Sequence, residues 1–150
     1  MTGAGGTGRR RRGRELALRV LFELEGTDKD PGAALTYQAR EVGATKDVVD
    51  FARRLVSGSL RDVVSIDATI AAASRWPLAE LGKVERAVLR LGTFELLAGD
   101  GVPVPVVIDE SLELARTYAG EESVQYINGV LGQVARRGAP RAPQAAADAQ

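Results

Sequence analysis

The chain has 150 residues, 45% of them hydrophobic, with 20 basic and 20 acidic side chains and a formal net charge of zero. That is enough to bury one substantial core without disulfide or metal staples. With no cysteine and no histidine, thiolate nucleophiles, imidazole bases and the usual zinc ligands are excluded, leaving carboxylate-only Mg²⁺ or Ca²⁺ binding as the conceivable metal chemistry. Residues 1–8, Met-Thr-Gly-Ala-Gly-Gly-Thr-Gly, have little side chain to pack and read as a flexible leader. A basic run follows, Arg9-Arg10-Arg11-Arg12-Gly13-Arg14. Residues 1–19 carry six Arg against one Glu, whereas residues 76–134 carry nine carboxylates against four basic groups. The positive charge is therefore placed at one end, which suits nucleic-acid phosphates or, as the bland alternative, a solvated tail.

From Glu15 the pattern is helical nearly throughout. Leu16, Ala17, Val20, Leu21 and Leu24 share one stripe, and Gly26-Thr27-Asp28 ends it. Pro31 opens a second helix that Gly43 stops. Val48, Phe51, Ala52, Leu55 and Val56 mark a third, and Val63, Ile66, Ile70 and Ala73 either a fourth or the continuation of the third past Gly58. Trp76-Pro77 punctuates the chain. A fifth helix covers about Val84 to Ala98, a sixth runs from near Pro103 to Tyr118, and a seventh from Glu122 to Arg137. The two prolines in Val102–Ile108 argue against a strand there. Gly138 to Gln150, rich in Ala, Pro and Gln, read as a disordered tail. The expected fold is all-α, about seven helices in two helical subdomains over residues 9–137. No apolar run approaches the roughly 20 residues that span a bilayer, so a cytoplasmic protein is expected.

Several positions remain once the core is assigned. Leu18 and Phe22 lie i,i+4 beside the arginines, away from the stripe, and form either a docking patch or the second buried side of a central helix. On the fifth helix Lys83, Arg86 and Arg90 align into a cationic stripe, which fits phosphates or an ordinary solvated face; Glu85 borders Leu89 and Leu96 on another side. Glu95 falls on the apolar side and should pair with a buried arginine. Tyr126 and Gly129 face outward with Glu122, a platform for an unpaired base or a packed ring. Asp109, Glu110, Glu113, Glu121 and Glu122 fit the first turns of helices six and seven better than a catalytic pocket. No phosphate-cradling loop, nucleophile elbow or dinucleotide fingerprint occurs. The reading from residues alone is a non-enzymatic protein without a cofactor.

Three blocks then carry a resemblance: Arg11-Arg12-Gly13-Arg14-Glu15-Leu16-Ala17-Leu18-Arg19-Val20-Leu21-Phe22; Glu80-Leu81-Gly82-Lys83-Val84-Glu85-Arg86-Ala87-Val88-Leu89-Arg90-Leu91 with Phe94-Glu95-Leu96; and Val102-Pro103, Ile108-Asp109-Glu110, Glu113-Leu114-Ala115 and Tyr126-Ile127-Asn128-Gly129-Val130-Leu131. In order and spacing they resemble the NusB family of bacterial transcription antitermination factors. The resemblance implies binding to boxA RNA of ribosomal RNA transcripts, partnership with NusE, a small-subunit ribosomal protein, and a place in an RNA polymerase antitermination complex. It implies RNA contacts at Arg10, Arg11, Arg12, Arg14, Arg86, Arg90, Glu122 and Tyr126. It implies NusE contacts at Phe22 and Glu85, to which the patches above add Leu18 and Leu89. Some members of that family pair as homodimers that hide the RNA surface. Two other readings compete: a helical protein-interaction scaffold, and the similar helical domain of ribosomal RNA cytosine methyltransferases, whose nucleophilic cysteine is absent here.

Overall fold

A computed structural model describes residues 2–138, with side chains from Gly8 onward. Its elements are α1 (Thr2–Leu24), α2 (Pro31–Val42), α3 (Lys46–Arg61), α4 (Val63–Ala73), a 3₁₀ turn (Leu78–Glu80), α5 (Lys83–Ala98), α6 (Val104–Tyr118) and α7 (Glu121–Arg137). The expected C-terminal tail, Gly138 aside, lies outside the described residues. At the other end the helix reaches back to Thr2, through the segment expected to be a flexible leader. Among the described residues there is no strand, and no helix is long and apolar enough to cross a membrane.

Local chemistry sets several boundaries. Asp30 caps α2 by accepting the Ala33 N–H at 2.8 Å, and Pro31 supplies its first residue. Gly43, at φ 65°, closes it: the Ala44 N–H donates to Ala39 O at 2.9 Å and the Gly43 N–H to Arg40 O at 3.2 Å. A single non-helical residue, Asp62, separates α3 from α4. Helix six starts at Val104, directly behind Pro103, so Glu110 stands well past its first turn. The first-turn reading therefore holds for Glu121 and Glu122 on α7 and fails for Asp109, Glu110 and Glu113.

Helices α1, α2 and α3 pack on one another, as do α4, α5, α6 and α7; α5 joins the two sets by packing on α1 and α3. The two linking helices are therefore covered on most sides. On α1 the buried positions include Leu18 as well as the stripe from Leu16 to Leu24, and on α5 Leu89 is completely buried. Leu89 offers no surface to a partner and Leu18 almost none beyond the floor of one cleft, so their assignment to NusE is corrected: each belongs to the core because its helix is central. Close approach between α3 and α5 depends on Gly58, where a Cβ would stand 2.2 Å from the Phe94 ring.

Candidate nucleic-acid interface

Because α1 turns about 100° per residue, its arginines fan out around the axis into different surroundings. Arg12 is exposed and makes no ion pair with any described residue. Arg9 pairs with Asp47 at 3.0 Å, with both side chains more than half exposed, and such a pair is readily exchanged for a phosphate. Arg10 is also exposed, its guanidinium 6.0 Å from the Phe51 ring centre. Gly13 permits this arrangement, since a Cβ there would meet Phe51 at 2.5 Å. The glycine in the middle of the basic run is a packing requirement that lets α3 approach α1.

Arg11 and Arg14 are held from behind. The Arg11 Nε–H donates to Glu110 Oε1 at 3.0 Å and its Nη2 to Oε2 at 2.8 Å. Those hydrogen bonds keep the Glu110 carboxyl below its usual range despite burial. About half of the Arg11 side chain stays exposed, so one guanidinium can bind Glu110 and still face a ligand. Arg14 differs. It is 3% exposed and forms a bidentate pair with Glu95, Nε to Oε2 at 2.7 Å and Nη2 to Oε1 at 2.8 Å. Its guanidinium also lies 5.5 Å from the Phe51 ring centre. Glu95 thus has the buried arginine its place on the apolar face demands, and the assignment of Arg14 to RNA is corrected to a structural one.

The cationic stripe on α5 is likewise neutralised. Arg86 grips Glu25 through Nε at 2.7 Å and Nη2 at 2.9 Å, and also bonds the Leu81 carbonyl. Arg90 reaches both Glu25, at 3.0 Å, and Asp67, at 2.8 and 3.0 Å. Hydrogen bonding from Arg86 holds the Glu25 carboxyl below its ordinary range. About four-fifths of each arginine side chain is buried. These two residues tie the end of α1 to α4 and α5, and they do not form the free cationic surface expected of them. Lys83 sits 4.4 Å above the Phe22 ring.

Glu122 and Tyr126 do come together, in an open cleft of about 440 Å³ lined also by Trp76, Glu80, Leu81, Gly82, Glu85 and Ser123. Glu85 accepts a hydrogen bond from Ser123 Oγ at 2.6 Å. It thereby belongs to this cleft and not to the Phe22 patch with which the sequence pairs it. Tyr126 is half-buried, and its hydroxyl bonds Ser74 Oγ. Trp76, read from sequence as punctuation, is 51% exposed on the same cleft. Phe22 lines a separate cleft of about 310 Å³ with Leu18 at its floor and Arg19, Glu23, Gln38, Val84 and Tyr118 around it. With Phe22 and Tyr118 both exposed, it is an apolar depression with a charged border.

An all-helical domain with an arginine arm and adjacent aromatic clefts has the features of a nucleic-acid-binding class of protein. The comparisons with known proteins narrow that class. The NusB family model matches residues 11–136. Transcription antitermination protein NusB of Heliobacterium modesticaldum is 41% identical over 128 residues, covering 85% of this chain; the chain spans 62% of that relative's length. The structure of T. maritima NusB superposes with a TM-score of 0.79 at 36% identity, covering 88% of this chain and 94% of that one. A crystal structure of the antitermination factors NusB and NusE in complex with dsRNA matches with a TM-score of 0.80 at 28% identity, over 86% of this chain and 97% of that one. The chain belongs to the NusB family and has its all-α fold.

Proposed function

We propose that this chain is a cytoplasmic RNA-binding antitermination factor that holds boxA RNA jointly with NusE inside an RNA polymerase complex, without catalysing a reaction. The observation that carries the reading is the arginine arm. Arg9, Arg10, Arg11 and Arg12 present accessible guanidinium groups on one helix, with Arg11 oriented by Glu110. Family membership and the likeness to a NusB in complex with NusE and dsRNA support the choice of partners. Phosphate contacts of this kind give salt-sensitive affinity, and sequence preference has to come from the bases. Of the expected NusE surface, Phe22 with its cleft and Glu85 in the neighbouring cleft remain accessible.

The test is fluorescence anisotropy of a boxA RNA and its scrambled counterpart, with and without NusE, across salt concentrations. A boxA preference strengthened by NusE is expected, with a log–log salt slope of roughly −2 to −4 for about 3–5 neutralised phosphates. Equal, weak binding to both RNAs that NusE leaves unchanged would reduce the protein to an interaction scaffold.

A further inference from the structure

A narrow slot lies between the second half of α1, the α3–α4 junction and the start of α5, apart from the Phe22 and Tyr126 clefts. It encloses about 80 Å³ among Leu21, Leu24, Leu60, Val63 and Ala87. One wall carries Ser59, which is 2% exposed and whose hydroxyl has no hydrogen-bond partner among the described residues. Leaving a buried hydroxyl unpaired is destabilising, and a ligand that bonds it relieves the penalty. The charge around the slot is unbalanced. Glu25 and Asp67 are both engaged by Arg86 and Arg90, two carboxylates against two guanidinium groups. Lys83 lines the same slot and pairs with no carboxylate among the described residues. Its ammonium lies 4.4 Å from the centre of the Phe22 ring instead.

We infer that this slot binds a short aliphatic monocarboxylate, whose head accepts from the Ser59 hydroxyl and the Lys83 ammonium while its tail lies against the leucines. An ionised carboxylate only accepts hydrogen bonds, and a hydroxyl and an ammonium are both able to donate. Cations are opposed by Lys83 and Arg90, and a phosphate dianion would lose too much hydration among apolar side chains. Volume limits the tail: a cavity of about 150 Å³ takes benzene, so roughly half that space accommodates about three or four heavy atoms. Propionate or butyrate therefore fits, and a longer chain has nowhere to place its end. Apolar walls with a few convergent polar groups are what small-molecule sites have in common. Because Lys83 also covers the Phe22 ring, occupancy of the slot is sensed at that ring.

The test is an NMR titration of the full chain, labelled at Leu and Val methyl groups and Phe rings, with sodium acetate, propionate, butyrate and hexanoate at constant ionic strength. Saturable shifts are expected at Leu24, Leu60, Val63 and the Phe22 ring. Affinity should rise about 4-fold per methylene from acetate to butyrate, the factor for one buried CH₂, and rise no further at hexanoate. Butanol, equal in length and uncharged, should bind on the order of 10-fold more weakly than butyrate. Ser59→Ala should weaken butyrate on the order of 10-fold, and Lys83→Gln should bring butyrate and butanol level. Circular dichroism of both variants checks that they fold as the parent does. Shifts no larger than those from sodium chloride would leave the slot to water and refute the inference. Refutation would equally come from shifts confined to the arginine arm, from equal affinity for butyrate and butanol in the parent, or from a folded Ser59→Ala chain that binds butyrate unchanged.

Discussion

The Arg14–Glu95 pair separates a structural arginine from those proposed to bind RNA, and it can be tested with three variants. Both side chains are more than nine-tenths buried, and the two hydrogen bonds are 2.7 and 2.8 Å long. Glu95→Leu leaves a buried guanidinium without its hydrogen-bonded carboxylate, beside the face of Phe51, which cannot accept its N–H groups as a carboxylate does. Removing one partner of such a pair costs about 3–5 kcal/mol. For a domain of this size each kcal/mol moves Tm by about 3–4 °C, so the midpoint should drop by about 10–20 °C. Arg14→Met should cost a similar amount by stranding the carboxylate. The double variant Arg14→Met/Glu95→Leu removes both charges and fills the space, and should recover to within about 1–2 kcal/mol of the parent. The assay is urea and thermal unfolding followed by helical circular dichroism, with RNA anisotropy on the same samples. The double variant should bind RNA as the parent does. A double variant that folds but loses RNA affinity several-fold would refute the structural assignment of Arg14, and additive destabilisation would refute the coupling.

Other outcomes follow from the same geometry. Arg12→Ala should weaken boxA and scrambled RNA alike and reduce the magnitude of the salt slope by about 0.7, the value for one single-strand phosphate; an unchanged slope would remove Arg12 from the interface. Glu25 and Glu110 are both held below the ordinary carboxylate range by arginine hydrogen bonds. Their contribution is therefore fully present above about pH 5 and is lost as pH falls through the lowered folded values. Urea midpoints should decline below pH 5, and Glu25→Gln should flatten that decline. Gly58→Ala forces the Phe94 ring aside and should cost about 1–3 kcal/mol in unfolding experiments. Phe22→Ala should weaken NusE binding by on the order of 10-fold without loss of helix content, as expected for an aromatic anchor; unaltered NusE affinity would move the partner surface elsewhere.

Helix number and most boundaries were legible because they are local properties. Periodicity of apolar residues marked the seven helices, Asp30-Pro31 and Gly43 bracketed α2, and Pro103 preceded α6. Charge state at each site was much less legible, because it depends on which carboxylate a distant segment delivers. Arg86 and Arg90 look free on a helical wheel, yet Glu25, Asp67 and the Leu81 carbonyl engage them. Leu18 and Leu89 look surplus to a one-sided stripe because a wheel assumes one buried face, whereas α1 and α5 are each packed by several neighbours. Glu95 is the instructive exception: an acid on an apolar face announces its need for a partner without naming Arg14. Trp76 carried a signal that was available, a large aromatic beside a proline at a helix break, but its nearness to Tyr126 required the fold.

The ties behind the arginine arm impose an order of events during synthesis. Arg14 and Arg11 lie near the start of the chain, and their partners follow 81 and 99 residues later. Since translation proceeds from the N-terminus at about 5–20 residues per second, the arm leaves the ribosome several seconds before α5 and α6 exist to hold it. During that interval Arg14 has no Glu95, and Arg11 no Glu110 to orient it. The oriented set of arginines thus arises only when nearly the whole domain has been made. An incomplete product carries undirected positive charge, while the finished protein carries a fixed pattern.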